Sequence, residues 1–301
     1  MEENVKKTLG ERFEGFHDKY YKHLLLIPLV IVLFCFAYIF VFYSANGDFI
    51  IKDFSLTGGT SLTIQGQIDA EVLKQELSGK LDEVETRVVY DIVTREQTAL
   101  VVQTKTPPEE AKKILEEYLT YELNNENSSV EFISPTIGEN FYKQLLMAVV
   151  IAFVLMGAVV FVIFRKFVPS MAVIISAFAD ILMTLTLVNF LGVKMSSAGL
   201  VAFLMLIGYS VDTDILLTNR VLKAYGDFSL NQRIFGAFKT GMTMTLTALI
   251  AVIFALVIVS SFSIVLTQIF TVLVIGLCFD IFNTWVTNVS LIKWYMRKNE
   301  H

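Results

Sequence analysis

The sequence predicts a polytopic α-helical membrane protein with six transmembrane helices and one small α+β domain between the first two. Hydrophobic residues make up 54% of the 301 residues, and the mean hydropathy of +0.61 is too high for a soluble chain of this length. In contrast, residues 44–143 hold 9 basic and 18 acidic side chains, so they form a polar segment within this apolar chain.

Six apolar runs are each long enough to cross a hydrocarbon core of about 30 Å, which needs about 20 residues. The predicted spans are residues 24–43, 145–164, 171–191, 198–217, 241–262 and 265–290. Residues 1–23 and 291–301 are then the terminal segments, 218–240 is a loop, and 44–143 is the inserted domain.

Basic residues indicate on which side of the membrane each connection lies. They precede the first predicted span and follow the second, fourth and sixth, whereas the opposite short loops hold only Lys194. By the positive-inside rule, we expect both termini and 218–240 in the cytoplasm and 44–143 outside. The sequence therefore predicts a multi-pass protein of the cytoplasmic membrane whose outer helix faces contact membrane lipid.

The inserted segment has the pattern β-α-β-β-α-β. Residues 60–65 alternate as a strand does, and Asp69 is a good N-cap for the helix that follows. Residues 86–104 predict a hairpin, two prolines after Thr106 begin a second helix, and 129–134 predict the last strand. This order is that of the split βαβ, or ferredoxin-like, domain.

Four aspartates lie inside the predicted spans: Asp180, Asp212, Asp214 and Asp280. At about 1.5 Å per residue, they lie between the midplane and the cytoplasmic third of the membrane, so they can share one site. A carboxylate near the bilayer centre costs about 2.5–3.5 kcal/mol on insertion scales, and such residues commonly form proton or ion relays. Asp212 and Asp214 point about 200° away from each other, so only one can face a shared centre, and the sequence leaves the choice open.

Polar side chains accompany the aspartates at helical spacing. One stripe follows Asp280 along the sixth span, and another begins at the cytoplasmic end of the fifth. Stripes of this kind also form hydrogen-bonded contacts between helices. Lys239, at the cytoplasmic end of the fifth span, also fits an interface anchor or a positive-inside residue. The supporting candidates are Lys239, Thr243, Thr247, Asn283, Thr284 and Asn288.

Five short motifs follow one another along the chain: SLTGGTSL at 55–62, ISPTIGENF at 133–141, FADI at 178–181, IGYSVDTDILLTNR at 207–220 and KTGMTMTLTAL at 239–249. With these motifs in this order and this topology, the chain resembles the SecF subunits of the SecDF protein-export complex, within the RND superfamily of proton-driven transporters. It departs from the family pattern at Ser55, where Asp is usual, at Lys239, where Arg is usual, and at 212–214, where the usual Asn-Asp pair is replaced. These departures resemble an archaeal variant.

The resemblance implies a non-enzymatic accessory of protein translocation that needs no cofactor. Its implied partners are a SecD subunit, the Sec translocation channel and unfolded exported polypeptides. Protons driven by the proton-motive force would pass the intramembrane aspartates, and the outer domain would swing on its two membrane attachments. Gly58 and Gly59 would then form a tight turn, a hinge or a contact with the exported chain.

Other functions stay open at this point. An RND-type exporter of lipid or small molecules would share the relay, and a purely structural subunit would tolerate Asp→Asn changes. An intramembrane aspartyl protease is disfavoured because the acids lie in AD and YSVDTD, not in YD and GxGD. The sequence has no basic stripe for nucleic acid, no nucleotide-binding loop and no metal-ligand spacing, since His17, His23 and His301 are scattered.

Overall fold

The computed structural model of the chain describes residues 23–223 and 228–299, which form a helical bundle and a small sheet domain. In chain order the elements are α1 (Leu26–Asn46), α2 (Phe54–Thr57), β1 (Gly59–Gln65), α3 (Ala70–Leu77), β2 (Glu85–Tyr90), β3 (Gln97–Thr104), α4 (Pro108–Leu119), β4 (Ser128–Ile133), α5 (Pro135–Phe164), α6 (Phe167–Phe190), α7 (Ser197–Leu222), α8 (Leu230–Val259), α9 (Ile264–Phe282) and, after a π-helix at Asn283–Asn288, α10 (Val289–Asn299). Within these described residues, six segments are long and apolar enough to cross a membrane: α1, α5, α6, α7, α8 and Ile264–Lys298. The predicted segment 1–23, except residue 23, lies outside the described residues, as do 224–227 of the predicted loop and 300–301 of the tail.

Two helices begin well before the predicted spans. α5 begins at Pro135, where Ser134 is the N-cap, so the last residues of the predicted domain 44–143 are helical. α8 begins inside the predicted loop 218–240, where Ser229 and Gln232 form a capping box. The prediction stopped short because hydropathy marks only the part that matches about 30 Å of hydrocarbon, whereas a 30-residue helix is about 45 Å long.

The bundle has an inner and an outer set of helices. In the most apolar stretches of α6 and α7, more than half of the residues are buried. The buried share is a third in Ile264–Lys298 and less than a fifth in α1, α5 and α8. α6, α7 and α9 therefore form the interior of this chain. Polar side chains buried on these three helices are removed from water, so hydrogen bonds to one another lower the cost of their burial.

The sheet domain lies between α1 and α5 and has the strand order β2-β3-β1-β4, antiparallel throughout. On one face α3 and α4 cover the sheet, and Leu62, Leu73 and Leu115 belong to the core between them. Asp69 caps α3, as predicted, by accepting two backbone N–H bonds. Because side chains alternate along a strand, Ser61 and Thr63 point to the other face, where they line a cavity above the ends of α7 and α9.

Backbone contacts tie the root of the sheet domain to the bundle. The Met195 N–H donates to the Ile51 carbonyl at 2.7 Å, and the Asp53 N–H donates to the Met195 carbonyl at 2.9 Å. The Asn189 amide donates to the Phe49 carbonyl at 2.7 Å. The domain is therefore held by the α6–α7 loop in addition to its two chain connections, which restricts the swing that the resemblance implied. Two further contacts join Lys194 to Glu85 and Tyr90 to Ser261.

Gly58 and Gly59 form a turn in which backbones approach closely. Their φ angles are +80° and +148°. A Cβ on Gly58 would lie 2.5 Å from the Cα of Pro135, and one on Gly59 would lie 2.7 Å from the Thr104 carbonyl oxygen. This geometry fits the tight-turn interpretation, while the hinge and the contact with an exported chain stay predictions.

We expect Gly58→Ala to lower the free energy of unfolding by several kcal/mol. A left-handed residue with a Cβ costs about 1–2 kcal/mol, and overpacking costs about 1–3 kcal/mol. Gly47→Ala is the matched control because its φ is +73° and no atom lies within 4 Å of the added Cβ, so it carries strain without a clash. Thermal midpoints of the two purified variants in detergent test this, and equal losses would contradict the close approach.

Candidate functional site

Three of the four predicted aspartates meet inside the bundle. Asp180 on α6, Asp214 on α7 and Asp280 on α9 are each 0% exposed. Hydrogen bonds to Asn283 and Thr284, which are adjacent in the chain, connect all three carboxylates. Asp212 lies on the exposed face of α7 beside Tyr209, so Asp214 is the member of the pair that faces the shared centre. We call Asp180, Asp214 and Asp280 the carboxylate cluster.

Asp180 is held by donors from two other helices. Its Oδ2 accepts a bond from the Ser210 hydroxyl, and its Oδ1 accepts one from the Asn283 amide at 2.7 Å. The Thr287 hydroxyl donates to Oδ1 of Asn283 at 3.0 Å, which leaves the NH₂ group of that amide facing Asp180. The carboxylate therefore joins α6, α7 and the π-helix.

Asp214 and Asp280 share one hydroxyl group. The Thr284 Oγ1 lies 2.9 Å from Oδ1 of Asp214 and 3.2 Å from Oδ1 of Asp280, and the Asn288 amide donates to Asp214 at 2.7 Å. A hydroxyl carries one proton and can donate to only one of the two carboxylates. If Asp280 carries a proton, it can donate to Thr284 while Thr284 donates to Asp214, so the three side chains would then form a continuous hydrogen-bonded chain.

The π-helix places the amides and hydroxyls that bind the cluster. Asn283, Thr284 and Asn288 all lie within it and are 0% exposed. A π-turn is wider than an α-turn and is frequently found at functional sites. Its width lets Asn283 reach α6 while Asn288 reaches α7. On its other side Trp285 packs over Gly241 of α8, where a Cβ would lie 2.7 Å from the indole ring.

No cation offsets the cluster among the described residues. No ion pair in that part of the chain involves any of the three carboxylates. Oδ2 of Asp214 and Oδ2 of Asp280 are buried and accept no bond from the described residues. Removing an uncompensated charge from water costs several kcal/mol, so these two carboxylate oxygens are suited to bind a proton. Within residues 23–223 and 228–299, no three His, Cys, Asp or Glu side chains converge as a metal site.

The structure leaves three of the supporting candidates outside the cluster. Lys239, Thr243 and Thr247 are exposed on α8, and both threonine hydroxyls bond to carbonyls of their own helix. Ser210 and Thr287 also contribute, although neither was among the supporting candidates. The spacing did place both correctly, since Thr287 lies on the polar stripe after Asp280 and Ser210 lies four residues before Asp214 on the same helix face.

Comparison with known proteins gives the family. The model of the family described as protein export membrane protein SecD/SecF, C-terminal, matches residues 112–298. The chain is 39% identical over 252 residues to the protein-export membrane protein SecF of Methanocaldococcus jannaschii, across 81% of this chain and 87% of that one. The protein of the same name from Pyrococcus furiosus is 32% identical over 299 residues, which are 98% of each chain. The chain belongs to the SecF family.

The SecF-family fold is also found in solved structures. The crystal structure of SecDF from Thermus thermophilus, described as a translocon-associated membrane protein, matches with a TM-score of 0.70 at 19% identity over 97% of this chain. SecDF in its super-membrane-facing form matches with a TM-score of 0.62. This SecF-family chain spans 40% of the Thermus thermophilus SecDF chain. The resemblance predicted from the five motifs is confirmed.

We expect Asn283→Ala to destabilise this SecF-family protein by about 1–3 kcal/mol, because a buried carboxylate loses a donor. Thr247→Ala is the control, since the Thr247 hydroxyl bonds only to its own helix and its side chain is exposed. The measurement is the thermal midpoint in detergent. If both variants melt together, Asn283 does not stabilise Asp180.

Proposed function

We propose that this chain assists the export of polypeptides by carrying protons through the carboxylate cluster, driven by the proton-motive force. The observation that carries the proposal is the convergence of three fully buried carboxylates from three helices, with no ion pair to any of them among the described residues. Binding or release of a proton changes the net charge of this site and therefore the electrostatic repulsion between α6, α7 and α9. One charge that crosses 100 mV supplies about 2.3 kcal/mol, which is comparable to a change in helix packing.

We also propose that the sheet domain is a ferredoxin-like domain outside the cell and that both termini are cytoplasmic. The strand order β2-β3-β1-β4 with two helices on one face supports the fold assignment. The orientation is supported by the basic residues at the bundle end opposite the sheet domain. They include Arg165, Lys166, Arg220, Lys223, Arg233 and Lys239.

A SecD-type subunit is the proposed partner, beside the Sec channel and the exported chain. This chain spans 40% of a SecDF chain of the same fold. Asp212 supports a partner independently because it lies exposed on a membrane helix, and a carboxylate facing lipid is costly. A second membrane-spanning subunit against this face of α7 removes Asp212 from lipid.

The contacts at the root of the sheet domain couple movement of the cluster helices to movement of that domain. α6 and α7 each carry one member of the cluster, and the loop that joins them holds Asp53 and Ile51 through the Met195 backbone. Relative movement of α6 and α7 therefore moves the root of the sheet domain. On this proposal, proton binding in the membrane becomes a displacement of the domain that faces the exported polypeptide.

The aspartates test the proposal directly. Asp180→Asn, Asp214→Asn and Asp280→Asn are expected to slow export at normal abundance, because Asn keeps the shape of Asp and does not bind the transferred proton. The measurement is a pulse-chase export assay in cells that lack the native copy. Three assembled variants that export like wild type would leave a structural role for the cluster and refute the relay.

Asp212→Asn tests the exposed face of α7, because Asp212 lies outside the cluster. This variant is expected to affect assembly with the partner more than export by assembled complexes.

Thr284→Val tests the proton chain between Asp280 and Asp214. Val keeps the shape of Thr but has no hydroxyl, so export should fall as it does for Asp280→Asn. Thr247→Val makes the same chemical change at an exposed position and should export like wild type. Equal export rates for the two Thr→Val variants would remove Thr284 from the path.

A further inference from the structure

A fully buried apolar side chain separates the carboxylate cluster from the cavity under the sheet domain. The cavity has a volume of about 470 Å³, and Ser196 and Gln268 form part of its lining. This is room for several waters at about 30 Å³ each. Below it on α9, the residues Gln268, Val272, Gly276 and Asp280 follow at intervals of four and are all buried, so one helix face leads from the cavity to the cluster.

The middle of this face is apolar and tightly closed. Leu206 of α7 is 0% exposed and lies on Gly276, where an added Cβ would come within 2.5 Å of both Leu206 Cδ atoms. Four residues further along α7 is Ser210, which binds Asp180. Four residues further along α9 is Asp280 itself. Leu206 on Gly276 therefore lies about one helical turn from the cluster, on the side of the sheet domain.

The two sides of the cluster differ in their polarity. Toward the bundle end opposite the sheet domain, buried oxygens of Thr218, Asn288 and Ser290 have no hydrogen-bond partner in the part of the chain that the structure describes. Toward the sheet domain, Val272 and Leu273 join Leu206 in an apolar layer. The Thr184 hydroxyl, buried and without a partner, lies one turn from Asp180 on that side. It is a polar atom that water could bind once the apolar layer opens.

We propose that Leu206, seated on Gly276, is a plug that closes the carboxylate cluster to the outside. Water in the cavity under the sheet domain is the supply for the cluster, and separation of α7 from α9 at this level admits that water. That the admitted water delivers protons rests on the proposed function, whereas the closure itself does not. Leu206 acts through access to Asp180 and Asp280 and makes no bond to either.

Thiol labelling from outside tests the plug. Full-length chain is expressed with its partner, Cys35 and Cys278 are replaced by Ser, and Ser210→Cys supplies one thiol below the plug. Right-side-out vesicles are treated with 2-aminoethyl methanethiosulfonate outside and free cysteine inside as scavenger. Leu206→Ala is expected to speed labelling of that thiol roughly tenfold, since the truncation leaves a cavity between α7 and α9.

The controls separate an opened plug from a loosened protein. Leu246→Ala makes the same truncation at an exposed position of α8 and should leave labelling unchanged. Gly276→Val added to Leu206→Ala restores carbon atoms from the opposite helix and should slow labelling again. Where Leu206→Ala fails to accumulate, Gly276→Ala alone displaces the Leu206 side chain and should also speed labelling.

The plug is refuted if the thiol reacts equally fast with Leu206 present or truncated, or if Leu246→Ala speeds labelling as much as Leu206→Ala does. Its failure is distinct from failure of the proposed function. Normal export by all three cluster Asp→Asn variants refutes the relay even where labelling responds to Leu206. Slow export by those variants together with unchanged labelling retains the relay and refutes the plug.

Discussion

A carboxylate that leaves water loses several kcal/mol of solvation unless donors from the protein replace it. Asp180, Asp214 and Asp280 bear this loss together, on three helices that are the most buried of the bundle. Ser210 of α7 and the π-helix after α9 supply the replacement donors. Asp180 thereby joins α6 to α7 and to the π-helix, and Asp214 joins α7 to the π-helix. The positions of α6, α7 and α9 relative to one another therefore depend on these bonds as well as on apolar packing.

Close packing around the cluster requires small residues at a few positions. Gly276 admits Leu206, and Gly241 admits the indole ring of Trp285. In a membrane, helices associate through van der Waals contact and hydrogen bonds, since lipid is as apolar as a leucine side chain. The glycines bring the helices close enough for side chains as short as Ser and Thr to reach a carboxylate on the next helix. Polar bonding and close packing thus support each other at one level of the bundle.

Composition and periodicity predicted the six spans, the inserted domain and all three members of the cluster, because charge inside an apolar run is conspicuous in any sequence. The helix starts at Pro135 and Leu230 were missed, since the first turns of those helices are polar and match no hydropathy window. The choice between Asp212 and Asp214 needed the structure, because both spacings fit a helix and only neighbouring helices decide which face is inward.

The π-helix could not be predicted either, since Asn283–Asn288 has the composition of an ordinary polar stripe. Only the backbone hydrogen bonds of the folded helix distinguish it. The same segment has a consequence for the end of the chain. A π-turn accommodates one residue more than the α-turn it replaces, and one residue rotates everything after it by about 100°. α10 inherits that rotation, and with it the burial of Lys293 and Ile292 on its inward side. A relative that has lost one residue between 283 and 288 would continue as a plain α-helix and present a different face of α10 to α6, so the length of this segment, more than its composition, sets the register of the C-terminal helix.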